Sequence, residues 1–261
     1  PPELPGPNDV YGYFPDANFY YLTGWSEPGA AVLVAPAAEA KNDNPSRPYT
    51  EVLFLPQRNY SQERWTGPKL GPDSPNAAQV TGFDRVESLD NMRAEFVKLF
   101  PGGVKIYTDI PAGDEPSNST QPLAWLNNAN AFAVRTSFGD IRPLLASLRT
   151  IKDDGEIDLI RKATNASIAA QFAAIRNIKP GVAEQEVSAV LQYEWGKRGC
   201  QRPAYAPIVG SGVNSTVLHY SDDSGTIQQG DIVVMDAAGE YSLYASDITR
   251  TVPATGRFTA R

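Results

Sequence analysis

An acidic side chain set inside a strand-forming apolar run constrains this chain more than any other feature. Residues 230–251 read GDIVVMDAAGEYSLYASDITRT. The pattern predicts two strands, Ile232–Ala237, closed by a turn signal at Gly239-Glu240, and Leu243–Thr249. Ile232, Val233, Val234 and Met235 are apolar at consecutive positions, as in a strand buried on both faces. Asp236 interrupts them where aspartate is ordinarily depleted. A buried carboxylate needs a cation or several donors, because an uncompensated charge out of water is too costly. With the chain folding back about Tyr241 and Ser242, Asp236 and Asp247 become cross-strand partners on one face, their Cβ atoms about 4.5–5.5 Å apart. Two metal ions in a hydrolytic centre lie about 3.5–4 Å apart, a spacing that paired carboxylates on a rigid hairpin suit. The alternative is that both aspartates cap turns or pair with Arg250. Like charges opposed on a buried ladder destabilise it unless a cation intervenes, which favours metal.

The same residues carry a family resemblance. MDAAGEYSLYASDITRT, followed by Gly256-Arg257-Phe258-Thr259, resembles the metal-binding core of the aminopeptidase P family, whose catalytic domain has the pita-bread fold. PAYAPIVGSGVNSTVLHY (Pro203–Tyr220) is similar to the same family. So are FYYLTGWSEPGAAVLV (Phe19–Val34) and ERWTGPKLG (Glu63–Gly71) in the amino-terminal half. Those amino-terminal motifs look most like the mitochondrial branch, the intermediate cleaving peptidases.

The resemblance implies a peptidase that hydrolyses the first peptide bond of peptides or proteins, often before proline, with a water activated by two metal ions. It implies Asp236 and Asp247 as metal ligands and Mn²⁺ as the metal, with Zn²⁺ or Co²⁺ as alternatives. His219, in the LHY motif, is implied to stand beside the metals as a catalytic and substrate-binding group. Imidazole suits that role because its charge changes near neutral pH. The alternative is a satisfied core histidine. Tyr205, in PAYAPIVG, is implied to border the substrate pocket; otherwise it is an ordinary core aromatic. Thr249, two residues after Asp247, is expected to orient a ligand carboxylate. Trp25, Glu27 and Pro28 fall in a signature that in relatives helps form the mouth of the site, a scaffold role being the alternative. The family's other ligands, one histidine and two glutamates, follow the aspartate motif in a second half, and His219 matches a different position. The expectation is an amino-terminal portion of a longer metallopeptidase, with an incomplete and inactive site in isolation.

Composition limits partners. A chain of 261 residues has room for two domains of ordinary size. A net charge of −7 argues against a nucleic-acid or anionic-membrane partner. No apolar run approaches the ~18–20 residues that a spanning helix needs. Peptide or protein amino termini are the expected partners, and a homo-oligomer is compatible. Cys200 is the only cysteine, which excludes an internal disulfide, and it reads as structural. The single histidine leaves room for at most one histidine-dependent nucleophilic site. The resemblance places the protein in mitochondria, with the cytoplasm as the alternative. Rival readings are a non-catalytic pita-bread scaffold or chaperone-like binding protein, a methionine aminopeptidase and a creatinase-like amidinohydrolase. The amino-terminal domain weighs against the second, the SDITRT context against the third.

Along the chain the expectation is an α/β domain over 1–150, then the first half of an α+β pita-bread domain over 151–261. Pro1–Pro15 reads as an extended lead-in, and Glu39–Pro48 and Gly113–Gln121 as surface loops. Strands are expected at Phe19–Thr23, Ala30–Ala35, Glu51–Leu55 and Val104–Thr108, and helices at Ser88–Phe100, Pro122–Phe132 and Asp140–Leu148. Asp153 and Glu156 predict a capping box for a long helix to about Asn177. Its core-facing stripe would be Ile157, Ile160, Ile168, Phe172 and Ile175. A second helix, Ala183–Arg198, carries Val187, Val190, Leu191 and Trp195 and stops at Gly199. Gly210, Gly212 and Asn214 read as a tight loop, lacking the setting of a phosphate-binding motif. His219 is expected at the end of a short strand.

Overall fold

End caps, not side-chain propensity, decide the first element. The aromatic run expected as a strand at Phe19–Thr23 is part of helix α1 (Ala17–Thr23). Asp16 accepts a hydrogen bond from the Phe19 N–H at 2.8 Å, and Gly24, left-handed at φ 64°, donates to the Tyr20 carbonyl. These caps satisfy the helix ends and outweigh the β preference of the aromatics. The computed structural model describes residues 13–36, 49–109 and 136–260. Most of the lead-in, the Glu39–Pro48 and Gly113–Gln121 loops and the Pro122–Phe132 helix lie outside them. The chain divides into two compact units, Pro1–Thr150 and Ile151–Arg261.

In the first unit, β1 (Ala31–Pro36) pairs antiparallel with β2 (Tyr49–Leu55), and β2 pairs parallel with β3 (Arg85–Ser88). Two short helices, α2 (Tyr60–Thr66) and α3 (Ala77–Thr81), lie between β2 and β3 in sequence. Leu53 and Leu55 are fully buried and cluster with Ala30 and Phe83, against which Phe19 and Trp25 pack. Ser88 caps a 3₁₀ turn by accepting from the Asp90 N–H, and α4 (Met92–Leu99) follows. β4 (Lys105–Thr108) and β5 (Ser137–Asp140) pair in parallel. The helix expected from Asp140 begins two residues later, as α5 (Arg142–Thr150). Asp140 closes β5, and its carboxylate accepts from the Arg142 N–H at 2.9 Å.

The second unit starts with α6 (Asp154–Asn177), whose capping box joins Asp153 and Glu156 reciprocally at 2.8 and 2.9 Å. Its buried face differs from the one expected. Ala163, Ala166, Ala170 and Ala174 are buried, together with Ser167 and Gln171. Ile168 is 39% exposed and Phe172 58% exposed, whereas Ile175 packs at the margin of the core. Small side chains let α6 lie close on α7 (Glu184–Gly196), which inserts Val187, Leu191 and Trp195. Bulky residues on that line would hold the helices apart. Gly199, at φ 90°, follows the end of α7.

The core side of these helices meets Val209, Val233, Met235 and Ala237. β7 (Ile208–Ser211), β8 (Ile232–Asp236) and β11 (Thr249–Pro253) form one antiparallel sheet in the order β11-β8-β7. β6 (Arg202–Pro203), β9 (Gly239–Tyr241) and β10 (Tyr244–Ala245) form another, in the order β10-β9-β6. β8 is buried on one face, not two: Val233 and Met235 are inaccessible, but Ile232 is 45% exposed. Gly239 is a strand residue, not a turn. A Cβ there would lie 2.9 Å from the Cys200 sulfur and 2.9 Å from Trp195, so the backbone approaches too closely for any side chain.

If close approach along the alanine face holds α6 in place, Ala170→Leu lowers the unfolding free energy by about 1–3 kcal/mol. Urea denaturation checks this, and an unchanged midpoint contradicts the packing described.

Candidate metal centre

The two aspartates come together, though not as direct cross-strand partners. The chain reverses at Ser242 and Leu243, both at positive φ (50° and 63°), pairing Tyr241 with Tyr244 and Glu240 with Ala245. The second expected strand, Leu243–Thr249, is thus replaced by β10 and by β11, which restarts at Thr249. Thr249, not Asp247, stands opposite Asp236. The displacement from the expected register is two residues. Side chains repeat every two residues, so it leaves Asp247 on the face expected of it and makes it a diagonal neighbour.

Tyr205 shows that the two carboxylates converge. Its hydroxyl reaches Asp236 Oδ1 at 2.5 Å and Asp247 Oδ1 at 3.1 Å. Burial first, then the hydrogen bond to Asp236, pushes the Tyr205 phenol well above its ordinary pKa, so it stays protonated. One phenolic proton serves two acceptors, and the shorter contact takes it. Neither aspartate is in an ion pair among the described residues, and Arg250 donates instead to the Thr249 carbonyl. The alternative in which Arg250 neutralises the pair is not what the side chains do.

Two carboxylates with a deficit of positive charge fit a divalent cation, since they are hard oxygen donors. They fill only part of a coordination shell, and among the described residues no group of three His, Cys, Asp or Glu side chains could complete one.

The other named residues lie around this pair. Thr249 is exposed and directly across the ladder from Asp236. His219 does not end a strand. It sits in an exposed turn after a 3₁₀ segment, Gly212–Thr216. Ser215 and Thr216 turn their hydroxyls back onto the Gly212 and Val213 carbonyls, which favours a tight turn over extension. No hydrogen bond joins His219 to Tyr205, Asp236 or Asp247 among the described residues. In the first unit, Glu27 pairs with Lys69 at 2.9 Å and Trp25 packs in the core. Cys200 is free and buried.

Glu184 was not singled out by its sequence pattern, yet it organises the segment that bears His219. The first residue of α7, it is fully buried. It accepts from the Ser211 N–H (2.7 Å) and hydroxyl (2.8 Å), the Asn214 amide (3.1 Å), the Tyr220 hydroxyl (2.8 Å) and the Gly225 N–H (2.7 Å). Burial alone would raise its pKa. The donors around it, Ser211 foremost, outweigh burial and hold it below the ordinary carboxylate value. Gly225 must be glycine, because a Cβ there would lie 2.7 Å from Glu184 Oε2. A usable signal was present: a carboxylate two residues after Val182 in the first turn of a helix, facing the Gly- and Asn-bearing loop. Read alone, it passes for an ordinary helix-start acid.

Comparison with known proteins agrees with this architecture. Residues 6–107 match the model described as "Aminopeptidase P, N-terminal domain", and residues 158–261 match "Metallopeptidase family M24". The Xaa-Pro aminopeptidase of Escherichia coli is 30% identical over 257 residues, covering 95% of this chain and 55% of that protein. Human Xaa-Pro aminopeptidase 3 is 34% identical over 262 residues, 97% of this chain and 49% of its own length. The mitochondrial intermediate cleaving peptidase 55 of Arabidopsis thaliana is 27% identical over 250 residues, 96% and 47% respectively. Among solved structures, Zn-substituted E. coli aminopeptidase P in complex with product superposes with a TM-score of 0.81 at 29% identity, covering all of this chain and 58% of that one. The chain spans about half the length of the curated relatives it matches.

An α/β amino-terminal unit joined to an M24-type unit of pita-bread fold defines a class of metallopeptidases. Within that class, the chain belongs to the aminopeptidase P family.

Because the folded-state pKa of Glu184 is depressed, its stabilising contribution is complete above the unfolded-state value of about 4.3 and is lost as pH falls through the folded value. Glu184→Gln therefore destabilises the chain at pH 7 by about 1–3 kcal/mol, since several buried donors lose their acceptor. The gap between variant and wild type narrows below about pH 4. Denaturant titrations across pH check both statements; a gap that persists at acid pH would count against the charge of Glu184 as the cause.

Proposed function

We propose that the protein carrying this sequence is a metal-dependent aminopeptidase that removes the amino-terminal residue of peptides or proteins, often before proline. The observation that supports this most is the convergence of Asp236 and Asp247 on one Tyr205 hydroxyl, with neither in an ion pair among the described residues. Asp236 and Asp247 would hold a pair of divalent ions, for which Mn²⁺ suits the oxygen donors and Zn²⁺ or Co²⁺ is compatible. When bound, such a pair supplies an activated water and a polarised scissile carbonyl.

The chain's own residues would then do the following. Tyr205 keeps its proton, orients both carboxylates and borders the substrate pocket. His219 offers an exposed imidazole to bind substrate and to carry a proton at its ring nitrogens. Its neighbour Tyr220 is anchored to Glu184, which limits where the imidazole can go. Thr249, across from Asp236, orients that ligand. The product complex of the Zn-substituted relative supports a peptide-cleaving reading. The amino-terminal motifs and the likeness to the mitochondrial Arabidopsis protein support the mitochondrial branch, and with it a mitochondrial location.

Purified full-length protein is expected to carry divalent metal by elemental analysis and to cleave Tyr-Pro-Ala and Tyr-Ala-Ala. Asp236→Asn and Asp247→Asn should each lose the metal and more than about 100-fold in kcat/KM, beyond the loss usual for residues that merely orient a ligand. Wild-type protein that binds no metal at neutral pH would point to a non-catalytic scaffold.

A further inference from the structure

Beyond the Asp236–Thr249 pair one last backbone bond, from the Ala237 N–H to the Ile248 carbonyl at 3.3 Å, closes the ladder, and the two segments then separate. Helix α6 fills that fork. Gln171 Nε2 donates to the Ala237 carbonyl at 3.1 Å and to the Ile248 carbonyl at 2.9 Å. Ala237 directly follows Asp236, and Ile248 directly follows Asp247. One turn earlier on the helix, the Ser167 hydroxyl accepts from the Gly239 N–H at 2.9 Å and shares a 2.8 Å hydrogen bond with the Ser246 hydroxyl. Ser246 directly precedes Asp247. The segments bearing the two aspartates are therefore held at Ala237, Gly239, Ser246 and Ile248 by two side chains on one helix face.

We propose that Gln171, with Ser167, is the positioning element that sets the separation of Asp236 and Asp247 for cation binding. This rests on the metal-site reading above. Both side chains are buried, Ser167 fully and Gln171 to within 4%. Gln171 uses its amide donors on the fork, and its buried Oε1 has no hydrogen-bond partner among the described residues. A leucine or methionine would fill the same space without burying an unsatisfied amide oxygen. An amide that tolerates this cost is placed for its two donors. A single planar NH₂ group limits the distance between the two carbonyls it joins, and each carbonyl belongs to the residue that follows an aspartate.

The test uses the full-length protein and Mn²⁺ as the probe, with affinity read by calorimetry and the Mn²⁺ environment by electron paramagnetic resonance. Gln171→Met keeps the volume and removes both donors. Val187→Ala, a core truncation in α7 that removes no hydrogen bond to the Ala237 or Ile248 carbonyl, controls for destabilisation alone. The expected result is Mn²⁺ binding weakened about 10–100-fold in Gln171→Met with an altered resonance spectrum, a smaller loss in Ser167→Ala, and unchanged affinity in Val187→Ala. Wild-type affinity and spectrum in Gln171→Met would overturn the proposal and leave the metal site standing. Absence of Mn²⁺ binding in the wild type would overturn both. If Gln171→Met does not fold, Gln171→Asn, which keeps the amide but shortens its reach, is judged by the same two results.

Discussion

One phenolic proton faces two carboxylates in this protein, and the surrounding architecture serves that arrangement. Two unit charges about 5 Å apart at an effective dielectric of 20 repel by roughly 3 kcal/mol. A hydrogen bond to a charged acceptor returns about 1.5–3 kcal/mol. The Tyr205 hydroxyl can therefore do little more than offset the repulsion. It leaves little for the partial removal of Asp236 from water. Asp236 is half-buried and Asp247 exposed, so water weakens this repulsion. A multivalent cation reverses the balance, because each carboxylate then gains an attraction in place of a repulsion.

Keeping such a pair in place requires a rigid frame, which comes from the helices behind the sheets. α6 is unusual in its buried face, which is lined by alanines interrupted by one serine and one glutamine. The alanines allow close approach, and the two polar side chains use that closeness to hold Ala237 and Gly239 after Asp236, and Ser246 and Ile248 around Asp247. α7 works differently. Its first residue, Glu184, places a full negative charge at a helix start, where the backbone amides and dipole favour it. It gathers the loop from Ser211 to Gly225 around that charge. The exposed turn bearing His219 is thus tied down by the residue that follows it, Tyr220.

How much of this was legible beforehand depends on the physical origin of each feature. A cap with dedicated side chains could be read, since the Asp153–Glu156 box is local and chemically specific, whereas α7 ends at Gly196, before the stop expected at Gly199. The apolar run ending in Asp236 also identified its strand. The hairpin register was two residues off, because the turn uses Ser242 and Leu243 at positive φ in place of the Asn-Gly or Asp-Gly that marks such turns. The convergence of the aspartates survived that error because a two-residue shift preserves the face. The core stripe of α6 was misplaced because large apolar residues dominate a periodicity reading, whereas the tightest packing here is made by alanine. Strand Arg85–Ser88 and helix Tyr60–Thr66 were missed: their residues are mostly polar, and pairing with β2 or local capping supplies what propensity does not. Glu184 and Gln171 act through bonds to residues tens of positions away, which no local pattern reveals.

Anomalous diffraction from crystals of the full-length protein grown with Zn²⁺ tests the central claim most directly. The account predicts strong anomalous peaks about 2.0–2.2 Å from carboxylate oxygens of both Asp236 and Asp247, with neither carboxylate turned toward an arginine. Zinc peaks confined to other surface sites, with the Tyr205 hydroxyl still shared between two metal-free aspartates, would contradict it.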